Sequence, residues 1–244
     1  MGQLKGKYAI VTGAGKGIGK AIVKRFVAEE AAGVAIFEFN EELAKKTAEE
    51  IGGNIIVIKC DVSKEEEVKA AVEKTMEAFG RIDILVNNAG ITRDAMFHKM
   101  SNEQWNSVLD ININGMFYCC KYVVPIMRAQ KYGKIVSLSS SSANGNAGQA
   151  NYATTKAAIN GFTKTLAKEL APLGITANSI APAMIDTDMM RAVPEPILKS
   201  YIQMIPARRM GTVDEVASVA LFLSSDDSSF VNGIVLPVNG AALT

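Results

Sequence analysis

Y-A-I-V-T-G-A-G-K-G-I-G, residues 8–19, sets a short β-branched run directly against four alternating glycines. Tyr8 to Thr12 has the composition of a strand, and residues 17–31 carry apolar side chains at helical spacing. The glycines therefore occupy a strand-to-helix turn. A turn of this kind needs residues without a Cβ where the backbone bends tightly and where a ligand comes close. The first N–H groups of the following helix have no partner within it, and they attract phosphate oxygens. Gly13, Gly15, Lys16, Gly17, Ile18 and Gly19 are accordingly read as a phosphate-binding loop, although the glycines alternate rather than following G-x-G-x-x-G. Glu38 ends the next strand-like run, nineteen residues after Gly19. A carboxylate there accepts hydrogen bonds from ribose hydroxyls and repels a 2′-phosphate. Lys16 pulls the other way. The acid decides the expectation: NAD is the preferred cofactor and NADP the alternative.

The alternation continues along the chain. GVAIFEF (33–39), NIIVIKC (54–60), IDILVNN (82–88), KIVSLS (134–139), ITANSIA (175–181) and GIVLPV (233–238) read as strands. Between them lie helical patterns at 41–51, 64–79, 101–130 (with room for a break), 152–171 and 212–223. Repeated β-α units predict an α/β fold with a parallel sheet covered on both faces. Several strands are apolar at nearly every position, as burial on two faces requires. No repeat, low-complexity tract or linker divides the 244 residues, so 1–244 is expected to form a single domain. The segment 183–211, with Pro194, Pro196, Pro206 and several methionines, follows the C-terminal end of a strand. Ligand sites of α/β sheets form there, so the segment reads either as a mobile substrate loop or as an irregular connection.

Bulk properties exclude several classes. The net charge of +1 and the lack of long like-charge runs give no nucleic-acid footprint and no basic membrane patch. No signal-peptide pattern and no long apolar span is present, which makes a cytoplasmic location and no membrane association the expectation. Cys60, Cys119 and Cys120 lack C-x-x-C spacing and read as reduced, buried thiols. With His98 as the single histidine, no metal site is expected.

N-Y-A-T-T-K, residues 151–156, places Tyr152 and Lys156 one helical turn apart on a shared face. Alone, the pair would be an ordinary helix start with a packed tyrosine and a solvated lysine. In company with T-G-x-x-x-G-x-G at 12–19, N-N-A-G at 87–90 and Y-x-x-x-K at 152–156, it makes the chain resemble the short-chain dehydrogenase/reductase family over nearly its whole length. I-T-R-D (91–94), G-Q-A-N-Y (148–152) and G-F-T-K-T-L-A-K-E-L (161–170) are most similar to the family's 3-oxoacyl-[acyl-carrier-protein] reductase subgroup.

The resemblance implies a Rossmann-type doubly wound sheet, a nicotinamide cofactor, no catalytic metal and a homotetramer. By the same resemblance Tyr152 is the general acid/base, and Lys156 is its activator and a ligand of the nicotinamide ribose. Asn112, in D-I-N-I-N-G, would support a water-linked proton path. Asn88, Ala89 and Gly90 would line the cofactor, and Asp61, followed by Val62, would hold the adenine. Pro182, Ile185 and Thr187 of A-P-A-M-I-D-T (181–187) match the segment that holds the nicotinamide carboxamide, with Ala183 where the family usually has glycine. Counting back from Tyr152 by the family interval gives Ser139 as the catalytic serine; aligning the strand gives Ser140. Ser140 is preferred, because burial fixes strand register while loops tolerate deletion. Ser137, Ser141 and Ser142 read as ordinary polar residues.

A free tyrosine titrates near about pH 10. The ammonium of Lys156, together with the positive ring of an oxidised nicotinamide, is expected to bring Tyr152 down toward working pH. The serine hydroxyl would polarise a carbonyl. The expected reaction interconverts a secondary alcohol and a ketone, with a 3-oxoacyl/3-hydroxyacyl thioester of CoA or acyl-carrier protein as substrate. A small or cyclic secondary alcohol is the alternative, and Glu38 tilts the expectation toward alcohol oxidation. A non-catalytic dinucleotide-binding sensor or scaffold is the reading of another class, opposed by the intact Ser, Tyr, Lys and Asn set. Carrier-protein reductases offer basic residues to their acidic partner. Lys131 keeps one such position, Leu173 stands at the second, and Lys121, Arg128 and Lys134 add charge nearby. Phe97 and the methionines suggest an apolar mouth, and the C-terminal segment 226–244 resembles a subunit contact.

Overall fold

The strand-like runs pair in the order β3-β2-β1-β4-β5-β6-β7, all parallel, in a computed structural model that describes residues 2–191, 193 and 195–242. Pro194 of the substrate loop and Leu243 and Thr244 of the C-terminal segment lie outside the described residues. The strands are β1 (Tyr8–Thr12), β2 (Gly33–Glu38), β3 (Ile55–Lys59), β4 (Ile84–Asn87), β5 (Gly133–Leu138), β6 (Ile175–Pro182) and β7 (Val235–Val238).

Alternate strand residues feed two separate cores, which is why the strands read as continuously apolar. On one face, Val11, Val34, Ile36, Ile84, Val86 and Val136 pack with Ile22, Val23 and Phe26 of α1 (Gly17–Ala28) and with Val216, Ala220 and Leu221 of α9 (Val213–Ser224). On the other, Ile10, Ala35, Phe37, Leu85 and Ile135 pack with α3 (Glu65–Phe79), α5 (Gly115–Gln130) and α6 (Ala150–Leu170) through Val68, Val72, Val123, Met127, Ile159 and Leu170. The amphipathic α2 (Glu41–Ile51) covers the first face through Ala44 and starts on Asn40, whose side chain accepts from the Leu43 N–H at 3.0 Å.

The break expected within 101–130 is a π-helical turn, Asp110–Asn114, between α4 (Asn102–Leu109) and α5. Such turns insert a residue into the helical ladder and often mark functional sites. The segment 183–211 holds two short helices, α7 (Asp188–Arg191) and α8 (Glu195–Met204). Its ends are tied together: the Asp186 N–H donates to the Gly211 carbonyl at 2.8 Å, and the Gly211 N–H donates to the Met184 carbonyl at 3.0 Å. The last strand begins at Val235 rather than 233, because Gly233 adopts a left-handed φ of 78° and gives its N–H to the Ala177 carbonyl. Among the described residues no helix is long and apolar enough to cross a membrane.

The order of strand addition reverses at β1: β2 and β3 lie on one side and β4 to β7 on the other. At that switch point the loops after β1 and β4 part and leave a crevice at the carboxyl ends of the strands.

Candidate active site

The crevice is a cleft of about 960 Å³ running from Glu38 and Asp61 at one end to Tyr152 and Thr187 at the other. Every residue expected at the cofactor lines it except Gly15, and both candidate serines line it too.

The glycine loop has the features a pyrophosphate requires. Gly17 has a φ of +57° and open space where a Cβ would stand, whereas a Cβ on Gly19 would lie 2.5 Å from the Gly13 carbonyl oxygen. One position thus needs glycine for its backbone, the other for close packing. α1 has no side-chain cap and no acid in its first turn, and exposed Lys16 stands at its start. Its first N–H groups and a cation therefore meet the cleft with no carboxylate of the first turn competing. The loop is fixed from behind by β4. The Thr12 hydroxyl accepts from the N–H groups of Asn88 (3.0 Å) and Ala89 (2.9 Å), and Asn88 Nδ2 donates to the carbonyls of Thr12 (2.9 Å) and Gly13 (2.8 Å). These residues fit the dinucleotide.

At the far end the Glu38 carboxylate is held by two backbone donors, Gly15 N–H at 3.0 Å and Asn40 N–H at 3.2 Å. Asp61 uses one oxygen to accept from the Ser63 N–H (3.0 Å) and hydroxyl (2.7 Å). Phe39, 68% exposed, stands beside Glu38 on the cleft wall.

At the near end, α6 presents Tyr152 and Lys156 one turn apart. Lys156 is only 4% exposed; its Nζ donates to the Leu138 carbonyl at 2.5 Å and lies 5.3 Å from the centroid of the Tyr152 ring. Burial pushes the ammonium down to about 8. Burial raises the Tyr152 pKa, hydrogen bonding from Ser140 offsets part of the rise, and the Asp94 charge adds to it. Water is the better solvent for a phenolate. The amine sits over the ring face with a proton committed to Leu138, and the group of the chain that pulls Tyr152 down is Ser140.

The serines separate by face. Ser139 is 4% exposed, and its hydroxyl donates to the Lys156 backbone carbonyl at 3.0 Å. Ser140 is half-buried; its hydroxyl accepts from the Ser142 N–H at 3.1 Å and is near enough to Tyr152 to pull the phenol's pKa down. Asn112, on the π-helical turn, lies behind the cleft. It accepts from the Ile91 N–H (2.9 Å) and donates to the Ile91 carbonyl and the Thr155 hydroxyl (both 3.1 Å), tying the 91–94 loop to α6.

The family model described as Enoyl-(Acyl carrier protein) reductase matches residues 13–241. The chain belongs to the short-chain dehydrogenase/reductase family. It is 43% identical over 241 residues, 98% of either chain, to the 3-oxoacyl-[acyl-carrier-protein] reductase FabG of Thermotoga maritima. It is 44% identical over 239 residues, 96% of this chain and 97% of the relative, to an acetoacetyl-CoA reductase of Shinella zoogloeoides. The crystal structure of levodione reductase superposes with a TM-score of 0.93 at 32% identity, covering 97% of both chains. As a short-chain dehydrogenase/reductase the protein is an oxidoreductase of CH–OH groups that uses NAD(P).

In this dehydrogenase/reductase, Ala183 needs no glycine. Its φ is not positive, and its N–H donates to the Val238 carbonyl at 3.1 Å. Sequence reasoning passed over Asn151, fully buried, whose Nδ2 donates to the carbonyls of Arg93 (2.9 Å) and Gln104 (3.0 Å). Its place immediately before Tyr152 was the available signal. Phe39 and Thr47 were passed over as well. Cys60 lines the cleft, but burial lifts its thiol to about 12, which leaves it a poor nucleophile.

The Lys156 ammonium should titrate near about 8, against 10.5 for an ordinary lysine, when followed by NMR of the side-chain nitrogen. Between those values the unfolded chain holds a proton that the folded protein has released. This group's contribution to stability therefore rises with pH through the window and is lost as pH falls through the lower value. Comparing urea denaturation of wild type and Lys156→Met isolates the slope; a pH-independent difference would contradict the assignment.

Proposed function

We propose that this enzyme interconverts 3-oxoacyl and 3-hydroxyacyl thioesters, with NAD(H) preferred. The observation that carries the reading is the pairing of the Ser140 and Tyr152 hydroxyls on the wall of the dinucleotide cleft, with the Lys156 amine over the ring. Support comes from relatives of nearly equal length whose names specify 3-oxoacyl-[acyl-carrier-protein] and acetoacetyl-CoA substrates.

The bound nicotinamide supplies or accepts the hydride. The chain supplies the proton and the field. In reduction, the Ser140 hydroxyl donates to the substrate carbonyl oxygen and Tyr152 O–H gives its proton to the developing alkoxide. In oxidation, Tyr152 as its phenolate takes the alcohol proton and becomes the phenol. Below about pH 8 the Lys156 side chain is an ammonium, and its charge offsets part of the cost of a phenolate. Burial pushes the Tyr152 pKa up, so the phenol meets a ketone as a proton donor. Asn112 and Asn151 position the 91–94 loop against α6. The 183–211 segment closes the substrate end of the cleft through Ile185, Thr187 and Met190.

The Glu38 carboxylate, fixed by two amides, favours NAD because a 2′-phosphate would meet a charge that cannot turn away. Arg128 and Lys131 at the end of α5 offer cations to an acidic carrier, while Leu173 removes one, so CoA and carrier-protein thioesters are both assigned as substrates. The likeness to levodione reductase favours a cyclic ketone as the second reading. A homotetramer is supported by the edge strand β7 and by the exposed side chains of Phe222, Phe230 and Ile234. The three buried free thiols fit a reducing, cytoplasmic setting.

NADH oxidation followed by absorbance should show turnover of acetoacetyl-CoA, and Tyr152→Phe should lose about 10²–10⁴-fold of it with NADH affinity held within about twofold. Turnover of cyclic diketones but of no 3-oxoacyl thioester would replace this reading with the second. Ser140→Ala should lower kcat by about 10²–10³-fold. Ser139→Ala should instead lose about 1 kcal/mol of stability in urea titration while keeping more of the rate; the reverse pattern would assign Ser139. Glu38→Gln, which keeps an oxygen for the Gly15 N–H, should reduce the preference for NAD over NADP by about tenfold in kcat/KM. An unchanged ratio would remove Glu38 as the selector.

A further inference from the structure

Gly15 is the one glycine of the loop that does not line the cleft, and its peptide groups are gripped from two elements. Its N–H donates to Glu38 Oε2 at 3.0 Å. Its carbonyl accepts from the Thr47 hydroxyl at 2.7 Å. Thr47 sits in the middle of α2, in E-E-L-A-K-K-T-A-E-E-I, and is only 2% exposed.

A threonine inside a helix ordinarily bonds back to the carbonyl four residues earlier. Thr75, Thr154 and Thr165 do so here, to Ala71, Ala150 and Gly161. Thr47 reaches across to a loop 32 residues away instead. A buried hydroxyl without a partner is costly, and alanine would fill a helix more favourably. The hydroxyl therefore has a use that local structure does not explain.

The use follows from peptide geometry. The Gly15 carbonyl and the Lys16 N–H belong to one planar, trans peptide, so they point in opposite directions. Tying the carbonyl back toward α2 turns the Lys16 N–H away from α2. Lys16 is the N-cap of α1 and lines the cleft. We propose that Thr47 is a positioning residue for the dinucleotide: with Glu38 it locks the Gly15 peptides from both sides and aims the start of α1 at the phosphates. This rests on the cofactor site assigned above. It also gives Glu38 two duties, ribose recognition and loop support, which the sequence cannot separate.

Thr47→Val keeps the shape and removes the donor. Fluorescence titration should show NADH binding weakened by about tenfold, with kcat at saturating NADH and the KM for the thioester within about twofold of wild type. Thr47→Ser, which restores the hydroxyl, should bind NADH like wild type. A merely structural threonine would lower the melting temperature and leave the Kd of the folded fraction unchanged. If valine does not fold, Thr47→Ala is read in the same way. Unchanged NADH affinity in the folded variant, a loss of kcat without a change in Kd, or equal loss in the serine variant would each overturn the proposal. Failure of the wild-type protein itself to bind NADH or NAD would overturn the cofactor reading, and this one with it.

Discussion

The site depends on how the turns after β1 and β4 are joined. They flank the point where the sheet changes direction, and no ladder of backbone bonds crosses the gap between them. Thr12 and Asn88 supply the missing connection. One hydroxyl accepts two amides, and one side-chain amide donates to two carbonyls. The glycine loop can then be narrow and open at once, because its shape is imposed from the neighbouring strand and not by its own weak preferences. Replacing Gly19 would break this arrangement at the backbone, since a Cβ there would meet the Gly13 carbonyl and the Asn88 amide together.

Burial sets the electrostatics at the reacting end. α6 carries Lys156 into the interior, where the Leu138 carbonyl is its hydrogen-bond partner. The same burial raises Tyr152 and lowers Lys156, so each group is pushed toward its neutral form. A neutral phenol is a ready proton donor, and a nearby amine that can still take a proton eases the charge left behind. The two residues are therefore tuned together by one helix face, and the alternating faces of the chain after β5 decide which serine joins them.

Nearly full-length likeness to reductases of 3-oxoacyl thioesters and to a reductase of levodione shows how one scaffold accepts different ketones. The 183–211 segment contributes Ile185, Thr187 and Met190 to the cleft wall. The segment is anchored at its two ends by the Asp186–Gly211 and Gly211–Met184 bonds. Variation between those anchors can reshape the mouth without disturbing the sheet.

The sequence by itself determined the strand-helix alternation, the parallel sheet, the glycine turn and the Tyr152–Lys156 spacing. These follow from periodicity and local sterics, which need only neighbours in the chain. It also favoured Ser140 over Ser139 as the catalytic serine, because burial fixes strand register while loops tolerate deletion. Only the tertiary structure showed that burial opposes ionisation of Tyr152 and that Thr47, on a helix of charged residues, reaches the loop. Those outcomes depend on desolvation and on contacts between residues far apart in the chain. Neither leaves a periodic trace: burial comes from every element packed around a group, and a hydrogen bond across 32 residues looks, in one dimension, like any other threonine.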